Sequence, residues 1–452
     1  MLKELSGAAT TLGCKVNQAE TDSMLDMLKA AGANIVEFDE KADIYIVNTC
    51  SVTNIADKKS RQMLHRARKM NPDGIVIAAG CYVQSAREIL EQDEAIDIVI
   101  SNNKKKSITE IVNDYINVRN NGKNAPGKDH EAMEYFVDIS RETEYEEMGG
   151  HVPVGHTRAY VKIQDGCNQF CSYCIIPYVR GRIRSRSQEA ILAEVSELAE
   201  AGIKEVVLTG IHISSYGKDK NNEGALIELI EAISKIKGIK RIRLGSLEPG
   251  IITEEFVERI SSNSKVCPHF HLSLQSGCDS VLKRMNRKYT CKQYFEKCDM
   301  LRKAYKSPAL TTDVIVGFPG ETEEEFAETV RYLTELNLYE MHIFKYSPRK
   351  GTVAAAMKEQ VAPEIKNERS DVLLKLAHDN KTAYEAQFEG CELEVLVEEV
   401  VKKDNKTYLR GHTERYMDIL IDVGDISMPE SFVNSFVYVT YTQNGGNLPL
   451  LL

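Results

Sequence analysis

Between residue 156 and about residue 348 the chain repeats an apolar strand and an amphipathic helix six times. The strands are expected at 159–164, 205–209, 241–245, 269–274, 311–317 and 340–346. Helical spacing fills 188–201, 223–237, 253–262, 291–305 and 322–337. Such alternation demands parallel strands, because each helix carries the chain back to the edge where its strand began. Eight repeats close a full β/α barrel, so six predict an open, partial one. The domain expected to hold it runs over 156–378.

The flanks differ from this centre. Apolar runs at 8–12, 44–47 and 75–79 alternate with helical patterns at 19–31 and 57–70. That order predicts a doubly wound parallel sheet within an N-terminal domain of 1–140. Arg119 to Gly155 reads as a linker, rich in turn residues, with the boundary set at 141–155. From Leu393 onward short strands are expected at 393–397, 407–410, 417–421 and 436–441. Gly390, Gly411 and Gly424 punctuate them, predicting a small all-β barrel within 379–445. The fold class is α/β with this small β module appended. No run of about 18 apolar residues occurs, so no membrane span is expected. The first residues show no signal-peptide pattern, and the expected location is the cytoplasm.

Eleven cysteines in a chain of this kind point to metal or catalysis where they cluster, and to packing where they scatter. Cys167, Cys171 and Cys174 have the spacing C-x3-C-x2-C. Three thiolates within eight residues converge on a soft metal centre. Zinc favours four ligands, often as two C-x2-C pairs, and no second pair exists here. Three ligands imply an iron–sulfur cluster with one iron open to a substrate or cofactor. The triplet follows the first barrel strand, where β/α barrels place active sites. Cys14, Cys50 and Cys81 each follow one of the three N-terminal strands. Ligands of open α/β sheets bind beyond those strand ends. The three either share a second cluster or are independent buried thiols.

The triplet, Tyr173 before its last cysteine, and the six-repeat barrel resemble the radical S-adenosylmethionine superfamily. The resemblance implies that the open iron holds S-adenosylmethionine, which is cleaved to methionine and a 5′-deoxyadenosyl radical. Implied cofactor contacts are Tyr173, Thr209, Gly210, Ser246, Glu248, Gln275, Val316 and Gly317, with Glu248 a ribose partner. Further segments narrow the family: Thr11-Leu12-Gly13-Cys14-Lys15-Val16-Asn17-Gln18-Ala19-Glu20-Thr21, Asn48-Thr49-Cys50-Ser51-Val52-Thr53, Ala79-Gly80-Cys81, and Cys171 through Gly181. With Gln275-Ser276-Gly277 and Lys283-Arg284-Met285-Asn286-Arg287 they resemble the methylthiotransferases. The C-terminal module resembles a TRAM domain.

That family implies two [4Fe–4S] clusters as cofactors, the second held by Cys14, Cys50 and Cys81. One S-adenosylmethionine methylates a sulfur at the N-terminal cluster. A second generates the radical, and methylthio is transferred to the activated carbon. The Gly13–Thr21 stretch looks most like the branch that acts on tRNA N6-threonylcarbamoyladenosine at position 37. Isopentenyladenosine in tRNA and a ribosomal-protein aspartate are the alternative targets. An iron–sulfur electron carrier or RNA-binding scaffold is the non-enzyme alternative. Implied partners are tRNA, an electron donor such as flavodoxin or ferredoxin, and a sulfur source.

The charge pattern bears on RNA in both directions. The net charge is −10, and residues 379–452 hold thirteen acidic residues against six basic ones. Local basic patches remain: Lys58, Lys59, Arg61, Arg66, Arg68 and Lys69 on one helix, then Arg180, Arg182, Arg184 and Arg186, then Lys283, Arg284, Arg287 and Lys288. Phosphate needs only such local patches, so Arg180, Arg182, Arg184, Arg186, Lys283, Arg284 and Arg287 are candidate RNA contacts. Charge runs are also commonly solvated faces. Cys267, Cys278, Cys291, Cys298 and Cys391 are expected to be structural. The ten histidines show no ligand cluster, and His269 and His271 are expected to line or support the pocket.

Overall fold

The computed structural model describes residues 2–120, 135–149, 157–404, 406–424, 428–443 and 445–447. Residues 121–134 and 150–155 of the expected linker lie outside the described residues. Among the described residues, no helix is long and apolar enough to cross a membrane.

The N-terminal sheet has five parallel strands, β1 (Ser6–Thr11), β2 (Asn34–Ile35), β3 (Ile44–Thr49), β4 (Ile75–Gly80) and β5 (Ile98–Val99), in the order β2-β1-β3-β4-β5. The two edge strands span two residues each, too short to leave an apolar run in the sequence. Every residue of β3 and β4 is buried. Ile44 and Ile46 pack on Met24 and Leu28 of helix α1 (Lys15–Ala30). Tyr45 and Val47 face the other way, onto Leu64 and Ala67 of helix α2 (Asn54–Met70). Helices on both faces explain why these strands read as unbroken apolar runs.

The central domain contains six strands that run parallel, β6 (Arg158–Asp165), β8 (Glu205–Gly210), β9 (Arg241–Leu244), β10 (His269–His271), β11 (Ala309–Val316) and β12 (Glu340–Lys345). A two-residue strand, β7 (Arg184–Ser185), adds antiparallel to the end of β6. Bridges Ile242–Val266 and Leu247–Leu272 join the β9 and β10 sides into one arc. Its outer face packs on the helices through Val161, Ile163, Val206, Leu208, Ile191, Val195 and their neighbours. β10 is shorter than the expected 269–274. The ladder is interrupted after His271 and is rejoined at Gln275, which has φ +77° and bridges to Val314.

A 24-residue helix, Pro363–Ala386, leads from the central domain into the last module and runs unbroken through residue 378. Strands β13 (Glu392–Lys403), β14 (Lys406–Thr413), β15 (Asp418–Asp422), β16 (Phe436–Thr442) and β17 (Gly445–Asn447) close into a barrel of order β13-β14-β15-β17-β16. Val395, Val397, Leu409, Ile419, Ile421 and Val439 fill it.

Charge fixes how these units meet. Glu20 of α1 is buried against Lys105, Lys162 and Arg180. Lys162 Nζ lies 2.7 Å from Glu20 and 2.6 Å from Asp165, and Arg180 reaches Asp165 at 3.1 Å. Burial alone would raise the Glu20 pKa. Arg180, Lys105 and Lys162 outweigh it and hold the carboxyl well below its usual range. Arg349 makes a second tie, donating to Asn54 Oδ1 at 2.6 Å, Ser51 Oγ at 2.9 Å and Asp57 Oδ2 at 2.6 Å. At the opposite end of the barrel, Arg241 donates to Glu394 at 2.9 Å and Arg158 pairs with Glu398 at 3.1 Å.

Removing one member of a buried charge set strands the others. Glu20→Gln is expected to destabilise the joined N-terminal and central domains by about 3–5 kcal/mol. The surface substitution Glu399→Gln is expected to stay within about 1 kcal/mol. Urea unfolding of the two variants measures both; equal midpoints would contradict the role given to Glu20.

Candidate iron–sulfur and substrate site

The three parallel N-terminal strands bring Cys14, Cys50 and Cys81 to one end of the sheet. β1 and β3 are in register at Thr11–Asn48, and β3 and β4 at Thr49–Gly80, so each cysteine emerges just past a neighbouring strand. Asn17 fixes the loops that carry them: its Nδ2 donates to Leu12 O at 2.8 Å and Thr49 O at 2.9 Å. Gly13 has φ +109°, and a Cβ there would lie 2.8 Å from Cys50 Sγ. Only glycine allows this approach. Burial raises the Cys14 thiol and pushes Cys50 up to about 11. Charge on Cys81 raises both further, which places the three thiols within electrostatic reach of one another.

The central triplet sits beyond β6. Phe170, at φ +49°, turns the loop between its first two cysteines. The segment 284–287 clamps that loop. Ser172 Oγ donates to Arg284 O at 2.8 Å, Ser172 N to Met285 O at 3.0 Å, and Asn286 Nδ2 to Phe170 O at 2.9 Å. Arg287 Nη1 donates to Cys171 Sγ at 3.2 Å, and Nη2 to Glu248 Oε2 at 2.9 Å. Burial, with the neighbouring thiols adding to it, pushes Cys167 up to about 11 and Cys174 to about 12.

Both sets fit an iron–sulfur cluster. Each offers three convergent soft ligands, and each has a buried arginine N–H on one sulfur: Arg287 on Cys171 and Arg180 on Cys81, both at 3.2 Å. Such donors stabilise the negative charge that metal-bound sulfur carries. Raised thiol pKa values mean that loading must release protons, so acid opposes it.

The two sets are neighbours in space. The short helix Ile176–Val179 follows Cys174 directly, and Ile175 and Val179 pack on Cys81. A cavity of about 680 Å³ opens between α1, the free edge of β6 and the C-terminal barrel, with Cys14 in its wall.

The residues expected at the cofactor lie on one rim. Thr209 and Gly210 end β8, Ser246 and Glu248 follow β9, Gln275 follows β10, and Val316 and Gly317 end β11. The Val316 side chain is in the core, so only its backbone faces outward. Gly317 has φ +69° with Lys366 laid against it. Tyr173 packs with Phe318, Tyr346 and Met285.

The expected RNA arginines end up elsewhere. Arg180, Arg184 and Arg186 are buried, facing Glu20, Asp165 and Glu194. Arg287 is taken by Cys171 and Glu248, and Arg284 by Glu325 at 2.6 Å. Arg182 and Lys283 alone among these seven are exposed. Which charges at a barrel rim face inward is set by the backbone path, and of the four arginines only Arg182 faces out. Helix α2 does present its charge outward: Lys58, Arg61, Arg66 and Lys69 line a shallow groove.

Sequence reasoning placed His269 and His271 at the pocket but missed the rest of the polar barrel interior. Arg158, Tyr160, Glu205, Arg243, His269 and Tyr416 meet there. The histidines do form a group: His271, Asp313 and His342 lie within 4.8 Å of one another. Parallel register sets Asp313 beside His342, and His271 beside Thr311 two residues earlier. Alternating polar residues along 158–162 and 241–243 were the available signal. Cys267, Cys278, Cys291 and Cys298 are buried, and Cys391 is exposed.

Gly13→Ala is expected to displace Cys50 and cost the N-terminal cluster. Iron should fall from about eight to about four atoms per chain after anaerobic reconstitution. Full iron loading of the variant would contradict the shared site.

The comparisons agree with this geometry. Residues 161–333 match the radical SAM superfamily, and residues 7–101 match the uncharacterized protein family UPF0004. A threonylcarbamoyladenosine tRNA methylthiotransferase MtaB of Bacillus subtilis (strain 168) is 39% identical over 91% of this chain and 89% of its own length. A tRNA-2-methylthio-N(6)-dimethylallyladenosine synthase of Thermoanaerobacter pseudethanolicus is 35% identical over 96% of this chain and 90% of its own. The radical S-adenosylmethionine methyltransferase TsrM from Kitasatospora setae, solved with cobalamin and a [4Fe–4S] cluster, shares the fold. It has a TM-score of 0.55 at 15% identity, over 77% of each chain. Two facing cysteine sets, the open barrel and these relatives give one conclusion: the chain belongs to the radical SAM tRNA methylthiotransferase family, whose cofactors are S-adenosylmethionine and [4Fe–4S] clusters.

Proposed function

We propose that this protein adds a methylthio group to carbon 2 of N6-threonylcarbamoyladenosine at tRNA position 37, consuming two molecules of S-adenosylmethionine. The contact between the two cysteine sets carries the reading. Arg180, six residues past Cys174, donates to Cys81 Sγ at 3.2 Å, so radical generation and sulfur supply share one site. The threonylcarbamoyladenosine relatives at 39% and 37% identity support the substrate.

A cluster held by Cys167, Cys171 and Cys174 would supply the electron that splits S-adenosylmethionine, and one held by Cys14, Cys50 and Cys81 would hold or donate the sulfur. The chain's residues position the reactants. Arg287 fixes Glu248, which accepts from ribose hydroxyls. Thr209, Gly210, Ser246, Gln275 and the backbone at Val316 and Gly317 complete the cofactor contacts. Tyr173, with Phe318 and Tyr346 behind it, keeps water from the triplet's far side. Helix α2 takes tRNA phosphates on Lys58, Arg61 and Lys69. Residues 379–445 act as a TRAM module. A flavodoxin- or ferredoxin-type donor supplies electrons, and an external source replaces the sulfur.

Two measurements test this reading. Reconstituted protein is expected to methylthiolate an anticodon stem–loop carrying threonylcarbamoyladenosine, detected by nucleoside mass spectrometry. Cys171→Ala should abolish 5′-deoxyadenosine formation. Modification of only the isopentenyl stem–loop, or of ribosomal protein, would reassign the substrate. Replacing Lys58, Arg61 and Lys69 together by Gln should weaken tRNA binding and reduce the log K against log salt slope by about 2–3.

A further inference from the structure

Lys15 follows Cys14 and opens helix α1, yet nothing in the mechanism above uses it. Its side chain enters the barrel interior, with Nζ 5.9 Å from the Tyr160 ring centre and 5.7 Å from that of Tyr416. Arg158 and Arg243 lie over the same Tyr416 ring at 5.0 and 4.8 Å. Three cations therefore lie around one aromatic ring.

Four cations line the 680 Å³ cavity: Lys15, Arg158, Lys162 and Arg186. Three of them are neutralised. Arg158 pairs with Glu398 at 3.1 Å, Lys162 with Glu20 and Asp165, and Arg186 with Glu147 and Glu194. Lys15 has no carboxylate partner among the described residues. Glu205, on the neighbouring strand, is already gripped by Arg243 through Nε at 2.7 Å and Nη2 at 3.2 Å. Aromatic faces hold an ammonium in place but do not cancel its charge. A solvent-accessible ammonium on the cavity wall, unpaired and beside two guanidinium groups, is placed to take an incoming anion.

We propose that Lys15 receives the carboxylate of the substrate's N6 substituent, and so distinguishes an anionic threonylcarbamoyl group from an apolar alkenyl one. The inference rests on the threonylcarbamoyladenosine reading and extends it to a named residue. Carbon 2 and the N6 group belong to the same edge of the purine. A base presenting carbon 2 to the centre next to Cys14 therefore brings its N6 substituent toward the adjoining residue, Lys15. An alkenyl substituent would leave the ammonium unpaired. A substrate that fills the cavity strips water from the exposed ammonium, so the analogue that offers it no acceptor is disfavoured.

The test uses the full chain with both clusters loaded and stem–loop RNAs carrying threonylcarbamoyladenosine, its carboxyl methyl ester or isopentenyladenosine. The wild type is expected to favour the acid over the ester by about ten- to hundredfold in kcat/KM, the range for a charge-assisted hydrogen bond. In Lys15→Met that ratio should collapse to about one, and Lys15→Arg should restore most of it. Iron content confirms that each variant is loaded. If Lys15→Met keeps the wild-type ratio, or loses acid and ester rates in equal proportion, the inference fails while the substrate reading stands. If the wild type modifies only the isopentenyl RNA, both fail.

Discussion

The structure depends on the salt cluster around Glu20. One carboxylate on the first helix accepts from Lys105 of its own domain and from Lys162 and Arg180 of the barrel. Desolvating so many charges is unfavourable unless each finds its partner, and the geometry that satisfies them all is narrow. Arg180 reaches past Glu20 to Asn17 Oδ1 at 2.5 Å and to Cys81 Sγ. The same side chain therefore sets the angle between the domains and supports a sulfur of the N-terminal set. A domain interface built from apolar contacts alone would tolerate sliding; this one specifies a position.

The two cysteine sets use the same devices. Each lies past the C-terminal ends of parallel strands, each has a loop fixed by an asparagine (Asn17 or Asn286), and each has an arginine N–H on sulfur. The arginines differ in their second contact. Arg180 is spent on domain docking, whereas Arg287 holds Glu248 at the cofactor rim. Protein charge at each cysteine set is thereby tied to a second, different contact of its arginine.

The acidity of the C-terminal module finds its explanation at the bottom of the barrel. Glu394 and Glu398 pair with Arg241 and Arg158, while Arg243 donates to the carbonyls of Thr413 and Glu414. Lys204 adds a bond to Asn434 O. Part of the module's negative charge is therefore a docking surface for a basic barrel end. Tyr416 is carried on that module into the lumen, so the β barrel also helps to shape the cavity.

The sequence by itself determined the elements and singled out the candidate metal ligands. Apolar runs with both faces covered marked β3 and β4, six β/α repeats marked the open barrel, and the spacing of Cys167, Cys171 and Cys174 marked a candidate iron–sulfur site. These are local properties, set by periodicity and by the reach of one loop. Only the tertiary structure decided which charges face solvent and which face one another. Arg180, Arg184 and Arg186 look like an RNA patch as a string, yet they close buried ion pairs, because carboxylates meet them in space: Asp165 and Glu194 within the central domain, and Glu20 across the domain boundary. The polar lumen was hidden for the same reason: its residues lie on separate strands and converge when the sheet curls. Lys15 shows the limit most clearly. Its place beside Cys14 is written in the sequence, but its lack of a carboxylate partner depends on the tertiary placement of Glu205 on Arg243 and of Glu398 on Arg158.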